Sequence, residues 1–272
     1  MFEKKIQRKL AHIPSGRLCI RAVTLSDTGC VRSNNEDRAA FLFLDGSWTD
    51  FFAILADGMG GYERGEVASA TMVDIVCDDN GRTLRRNSRR WMKELFRRAN
   101  RHIYGCARQL QSVMGTTCSM LLIRNRRVYC SHIGDSRIYL LTDGWLQQLT
   151  SDHTVVGEMM RRGEITREEA AMHPQRNILT KAIGTAPDVE PDTFTVTALV
   201  KAGSRFLLCS DGLYDLVPDA EIRRLLSLPS LKAAAASLVN EAKTRGGYDN
   251  VTAVIAEIND KLNILDNEAS HA

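Results

Sequence analysis

Hydrophobic runs of strand length along this chain repeatedly begin or end at an Asp, often with Gly beside it. Phe51 to Ala56 runs into Asp57-Gly58-Met59-Gly60-Gly61, and Phe206 to Ser210 runs into Asp211-Gly212. Elsewhere the order is reversed. Asn35-Glu36-Asp37 precedes the run Ala39 to Leu44, and Gly246-Gly247-Tyr248-Asp249-Asn250 opens the run Val251 to Ile255. In an antiparallel sheet the end of one strand lies beside the start of its neighbour. Packed sheets built from these runs would bring Glu36, Asp37, Asp57, Asp211 and Asp249 to one sheet end. Carboxylates crowded in this way repel one another unless cations sit among them. The pattern predicts an oxygen-ligand metal site.

The remaining periodicities supply the frame. Strand composition marks Leu18 to Leu25, Thr116 to Ile123, Val128 to Ile133, Arg137 to Leu141 and Trp145 to Leu149, a meander in the middle of the chain. Phe194 to Thr197, Arg205 to Ser210 and Val251 to Glu257 add strands late. Helices are predicted over Glu66 to Cys77, Thr154 to Arg162, Asp219 to Leu226 and Leu231 to Lys243, with a capping box at Thr166-Arg167-Glu168-Glu169 opening a short one. The strongest is Asn87 to Leu110. There Trp91, Leu95, Ala99, Ile103, Ala107 and Leu110 share one side, opposite an arginine-rich face. Strands and helices come in blocks and do not alternate regularly, which is an α+β order. The expected architecture is two antiparallel sheets packed face to face, flanked by helices on both sides. One domain, 18–259, is expected between a basic N-terminal tail, 1–17, and a polar C-terminal tail, 260–272.

Composition narrows the function classes. A formal net charge of +3 across 272 residues is too weak to imply a nucleic-acid partner. No apolar stretch approaches the ~20 residues of a transmembrane helix, and the charged N-terminus has no signal-peptide core. The seven cysteines are scattered without a C-x-x-C pair, which fits a reducing, cytoplasmic setting. Neither a membrane partner nor an obligate oligomer is expected.

One Asp-Gly after an apolar run is an ordinary turn. Several, with further acids at other strand ends, suit Mg²⁺ or Mn²⁺, whose ligands are carboxylate and carbonyl oxygens. Two such ions ~3.5–4 Å apart serve many hydrolases by activating a shared water. Phosphoryl transfer suits this machinery, since it needs positioning and charge neutralisation above all. Arg32, four residues before Glu36, is the candidate to hold phosphate oxygens.

These motifs together resemble the PPM family of metal-dependent serine/threonine protein phosphatases, in its bacterial form. The matching pieces run from about Ala22 to Ile258 in family order: Ser26 to Asp37, Asp57 to Gly61, Gly115-Thr116-Thr117, Gly134 to Tyr139, Leu149 to His153, Ser210 to Leu213 and Gly247 to Thr252. The resemblance implies that Asp57 bridges two core ions, with the Gly58 carbonyl on one and Asp211 and Asp249 on the other. It implies that Glu36 and Asp37 contact the cluster directly or through waters. It implies that Arg32 grips the substrate phosphate, and that Asp135, with Asp211 and Asp215, matches a weaker third ion site. Residues 154–177 match the family's flap.

Two departures stand out. Met59 occupies a position where many eukaryotic members carry a histidine proposed to protonate the leaving alcohol, and methionine has no proton to give. A water or another residue must do so. Lys181 stands where arginine is often found, and no function attaches to it. Of the six histidines, only His153 lies in a family motif, and its expected role is a structural hydrogen bonder beneath the flap.

The expected function is hydrolysis of phosphoserine and phosphothreonine in phosphorylated proteins by a metal-activated water, opposing a bacterial Ser/Thr kinase. The residues alone leave two alternatives open: a phosphoprotein-binding scaffold, and a two-metal hydrolase of small phosphoesters. The intact set of Asp57, Asp211 and Asp249 speaks against the scaffold.

Overall fold

A computed structural model describes residues 9–10, 18–44, 50–60, 64–84, 87–124, 127–196 and 200–260. The turn-like Asp45-Gly46-Ser47, between the runs Ala39 to Leu44 and Phe51 to Ala56, and most of both predicted tails lie outside them. Two six-stranded antiparallel sheets form the centre. The first carries β1 (Lys9–Leu10), β2 (Leu18–Asp27), β12 (Val251–Asp260), β11 (Arg205–Cys209), β8 (Arg137–Thr142) and β9 (Trp145–Gln148) in that spatial order. The second carries β10 (Asp192–Thr195), β7 (Arg127–Ile133), β6 (Cys118–Arg124), β4 (Phe51–Gly60) and β3 (Asp37–Phe43), with β5 (Met114–Thr116) paired to the end of β4. Lys9 and Leu10, inside the segment expected to be a tail, pair as strand with Ala22 and Arg21.

Side chains alternate between the faces of a strand, so a strand buried on both faces feeds two cores. In β4, Phe51, Ala53 and Leu55 pack between the sheets with Phe206, Leu208, Val254 and Ala256. The intervening Phe52, Ile54 and Ala56 face the outer layer formed by α1 (Arg64–Asp79) and α2 (Ser88–Gln109). The opposite sheet does the same. Leu207, Cys209, Val251, Ala253 and Ile255 pack under α5 (Asp211–Tyr214), α6 (Asp219–Leu226) and α7 (Leu231–Thr244). Helix–sheet–sheet–helix layering follows from this alternation.

The amphipathic α2 starts at Asn87, whose side chain accepts from the Arg90 N–H at 3.0 Å. Trp91, Leu95, Ala99, Ile103 and Ala107 are buried, but Leu110 is the C-cap and lies exposed. Its place at the end of the apolar stripe no longer faces the core once the helix stops. The arginine-rich side is partly neutralised: Lys93 and Arg97 pair with Glu190, and Arg98 pairs with Asp79.

Two features depart from the sequence reading. The run ending at Ala56 does not stop at Asp57; β4 continues to Gly60 by changing partners. Phe51 to Leu55 pair with β6, whereas Gly58 to Gly60 pair with β5. And Asp211 does not open a plain turn but the single-turn helix α5.

Candidate metal centre

Both sheets present strand ends to the same rim. Asp37, the first residue of β3, is the register partner of Asp57 in β4. In the other sheet β11 and β12 run antiparallel with Cys209 opposite Ala253. Asp211, just after β11, therefore lies near Asp249, just before β12. Asp57, Asp211 and Asp249 face one cleft of about 480 Å³, lined also by Arg32, Glu36, Gly58, Asp135, Met59, Thr117 and Asn250. Asp37 lies behind this wall, 2% exposed.

Hydrogen bonds fix the backbone of the acids and one of their carboxylates. The Asp57 N–H donates to Thr117 Oγ1 (3.1 Å), and its carbonyl accepts from the Thr117 N–H (2.8 Å) and Thr116 Oγ1 (2.9 Å). Ser210 Oγ donates to Asp37 Oδ2 at 2.7 Å. Asn250 ties its own loop to the one between β2 and β3 at three points. Its Oδ1 accepts from the Glu36 N–H (2.8 Å), while its amide donates to the carbonyls of Thr28 (3.0 Å) and Asn34 (2.8 Å). Gly58 must be glycine for packing: a Cβ there would lie 2.2 Å from the Gly65 carbonyl oxygen.

The electrostatics are those of a site short of positive charge. Burial, then Asp37 and Asp211, pushes Asp57 well above the usual carboxylate range. Burial, then Asp135 and Asp249, does the same to Asp211. Asp37 is raised to about 6, chiefly by burial, despite hydrogen bonds from Thr252 and Ser210. Asp135 is raised to about 7, by burial and then by Asp152. Such shifts mark carboxylates held together at a cost that a bound cation removes.

The residues fit hard divalent ions. Asp37 Oδ1 is buried with no hydrogen-bond partner, an acceptor that a cation could use. The donor set is oxygen throughout, with no Cys or His lining the cleft. Among the described residues no three His, Cys, Asp or Glu side chains close around one point. The acids ring the cleft instead, and waters would complete any coordination shell, as Mg²⁺ prefers.

Arg32 extends over the mouth. Its guanidinium meets Asp249 Oδ2 at 2.7 Å, and the side chain is 54% exposed. Burial acts to lower the Arg32 pKa, but Asp249 with Glu36 and Asp211 outweighs it and the net shift is upward. It stays a cation available to an incoming anion. Asp135 follows Gly134, which sits at φ +102 against the Thr117 side chain. Asp135 also lines a larger cavity of about 940 Å³ shared with Asp152, Asp215 and Arg176. The roof of that cavity is the predicted flap, which holds α3 (Val155–Arg161) and α4 (Arg167–Met172). Thr166 and Glu169 form the expected capping box, and Arg167 meets Asp219 of α6 at 3.0 Å.

His153 is buried and stacked on His132 with ring centroids 5.0 Å apart, and its Nδ1 accepts from the Gly134 N–H at 3.1 Å. Its place is behind the cleft wall, as a structural hydrogen bonder. Lys181 Nζ lies 3.7 Å from Asp192. Ser210, Thr117 and Asn250 were given no role from sequence. The only signal in the sequence is position: Ser210 and Asn250 each adjoin an Asp, and Thr117 ends the Gly115-Thr116-Thr117 motif.

The family described as Protein phosphatase 2C matches residues 30–254 of the chain. The serine/threonine phosphatase stp of Listeria innocua is 35% identical over 241 residues, covering 86% of this chain and 94% of the relative. A solved serine/threonine phosphatase of S. agalactiae superposes with a TM-score of 0.81 at 35% identity, covering 88% and 99% of the two chains. The catalytic domain of the phosphatase PstP, solved with two manganese ions, gives a TM-score of 0.78 at 36% identity, covering 89% and 100%.

Proposed function

The chain belongs to the protein phosphatase 2C (PPM) family and is a metal-dependent serine/threonine phosphatase, and on that premise we propose how its own residues carry the reaction. The observation that carries the reading is the convergence of Asp57, Asp211, Asp249 and Glu36 from two sheets on one cleft capped by Arg32.

Asp57, the Gly58 carbonyl, Asp211, Asp249, Glu36 and, from behind, Asp37 would hold two Mn²⁺ or Mg²⁺ ions, and Asp135 with Asp211 and Asp215 a third, more weakly bound ion. Bound there, the ions would neutralise the acids, lower the pKa of water and polarise the phosphoryl group. Arg32 would bind the phosphate of the substrate, exchanging part of its contact with Asp249 for the stronger bidentate one. Ser210 holds the Asp37 carboxylate, and Thr117 and Asn250 fix the backbone of Asp57 and Glu36, before substrate arrives, which spares reorganisation during the reaction. Met59 lines the cleft but has no proton to donate, so the leaving alkoxide takes its proton from water or from another residue.

The substrates on this reading are phosphoserine and phosphothreonine in proteins, made by a Ser/Thr kinase that the enzyme opposes. The setting is cytoplasmic and the enzyme a monomer. Cys30, Cys77, Cys106, Cys118, Cys130 and Cys209 are free, and no helix among the described residues is long and apolar enough to cross a membrane. The residues 18–259 act as one catalytic domain. The test is phosphopeptide hydrolysis with Mn²⁺, with Mg²⁺ and with excess chelator, in wild type and Asp57→Asn. Metal-dependent hydrolysis that the variant nearly loses is expected. Full activity in chelator, or an active variant, would overturn the reading.

A further inference from the structure

Ile178 of the cleft lining, and the chain neighbours of its residues Arg32 and Asp249, are exposed apolar side chains that neither the fold nor the acid cluster requires. Val31, beside Arg32, is 65% exposed; Tyr248, beside Asp249, is 64% exposed; and Ile178, which lines the cleft from the flap side, is 49% exposed. Burying large apolar side chains is favourable, so exposed ones gathered at a site mark a contact surface.

These side chains sit on tightly held backbone. The Cys30 N–H donates to the Gly247 carbonyl at 2.7 Å, and Gly29 packs so closely that a Cβ would lie 2.2 Å from the Asp249 carbonyl oxygen. The Tyr248 ring lies over Gly246, where a Cβ would come within 2.5 Å of its Cζ. On the flap side, the Val155 N–H donates to the Ile178 carbonyl at 2.9 Å and Thr154 bridges to Leu179. Such a surface loses little freedom when it is covered.

We infer that Val31 and Tyr248, with Ile178 on the flap side, form an apolar rim that selects phosphopeptides carrying bulky apolar residues next to the phosphorylated one. The inference rests on the phosphoprotein reading above. A substrate that brings its phosphate to Arg32 must lead its chain past the residues flanking Arg32 and Asp249, so the rim is continuous with the catalytic cleft. Apolar flanks would bury area there, whereas alanine or charged flanks would leave the rim wet.

The test uses phosphothreonine peptides of one length whose flanking residues are Leu or Phe, Ala, or Lys and Glu, assayed with Mn²⁺ beside p-nitrophenyl phosphate. Wild type should show kcat/KM about three- to tenfold higher for apolar flanks than for Ala. Tyr248→Ser and Val31→Ser should shrink that preference, mainly through KM, and leave p-nitrophenyl phosphate turnover unchanged. Tyr248→Phe should retain it. Equal rates on all peptides, or variants that slow every substrate by one factor, would overturn the inference while the phosphatase reading stands. Turnover of p-nitrophenyl phosphate but of no peptide would overturn both.

Discussion

Ser210, at the end of a strand in one sheet, donates a 2.7 Å hydrogen bond to Asp37, the first residue of a strand in the other. The same hydroxyl oxygen accepts the Thr252 N–H at 3.0 Å. One side chain thus joins β11, β12 and β3 immediately behind the acid cluster. Without it Asp37 would lose the bond that its Oδ2 accepts from Ser210.

Ser210→Ala should therefore weaken both the fold and the metal response. A hydrogen bond to a charged group is worth about 1.5–3 kcal/mol. Denaturant unfolding should show a loss of that order, and Mn²⁺ titration of activity should shift to higher concentration. A variant that unfolds and titrates like wild type would show that the bond does not position Asp37.

Arg32→Ala should raise KM for phosphosubstrates by roughly tenfold or more, since a charged hydrogen bond of about 1.5–3 kcal/mol is lost, with a smaller effect on kcat. Its ion pair with Asp249 is exposed on both sides, so stability should change by less than about 1 kcal/mol. Unchanged kcat/KM across several substrates would assign Arg32 to the surface alone.

Asp135→Ala separates the weaker third ion from the core pair. Fewer carboxylates mean weaker binding with more retained water. The variant should need more Mn²⁺ for full activity and reach a lower kcat, with one ion fewer by calorimetry. An unaltered stoichiometry would leave Asp135 as a turn residue.

Metal removal should couple to pH. Asp37 and Asp135 titrate near about 6 and about 7 in the folded chain, above the ~3.9 of an unfolded Asp. For a raised pKa, the stability contribution is whole below ~4 and is lost as pH rises through about 7. Chelated protein should thus lose stability over that window, and added Mn²⁺ should raise Tm more at pH ~8 than at pH ~5.5, because protons compete with the ions for the same oxygens. Equal gains at both pH values would contradict the raised values.

Asp79 offers a contrast remote from the metal cleft. Its buried carboxylate accepts from Thr83 Oγ1 (2.6 Å), Trp91 Nε1 (3.0 Å) and Arg98 (3.0 Å), joining α1 to α2. Burial acts to raise its pKa, but the bonds from Thr83 and Trp91 prevail and hold it low. A depressed pKa contributes stability above ~4 that is lost as pH falls through the folded value. Asp79→Ala should cost about 2–3 kcal/mol at neutral pH, a deficit that narrows on acidification. A constant deficit across pH would mean that packing alone is lost.

The sequence by itself determined what a short window can encode. The period of Trp91 to Ala107 marks a helix face, and the alternation of Phe51 to Ala56 feeds two cores. The ordered Asp and Gly motifs marked the acids that line the cleft. Tertiary structure alone decided how those windows meet. The partner change of β4 beyond Leu55, the exposure of Leu110 and the one-turn helix at Asp211 depend on neighbours distant in the chain. So do the roles of Ser210, 173 residues from Asp37, and of Asn250, 214 residues from Glu36. A lone Ser or Asn carries no periodic signal, and its hydrogen-bond partner exists only after two sheets have stacked with their strand ends at one rim.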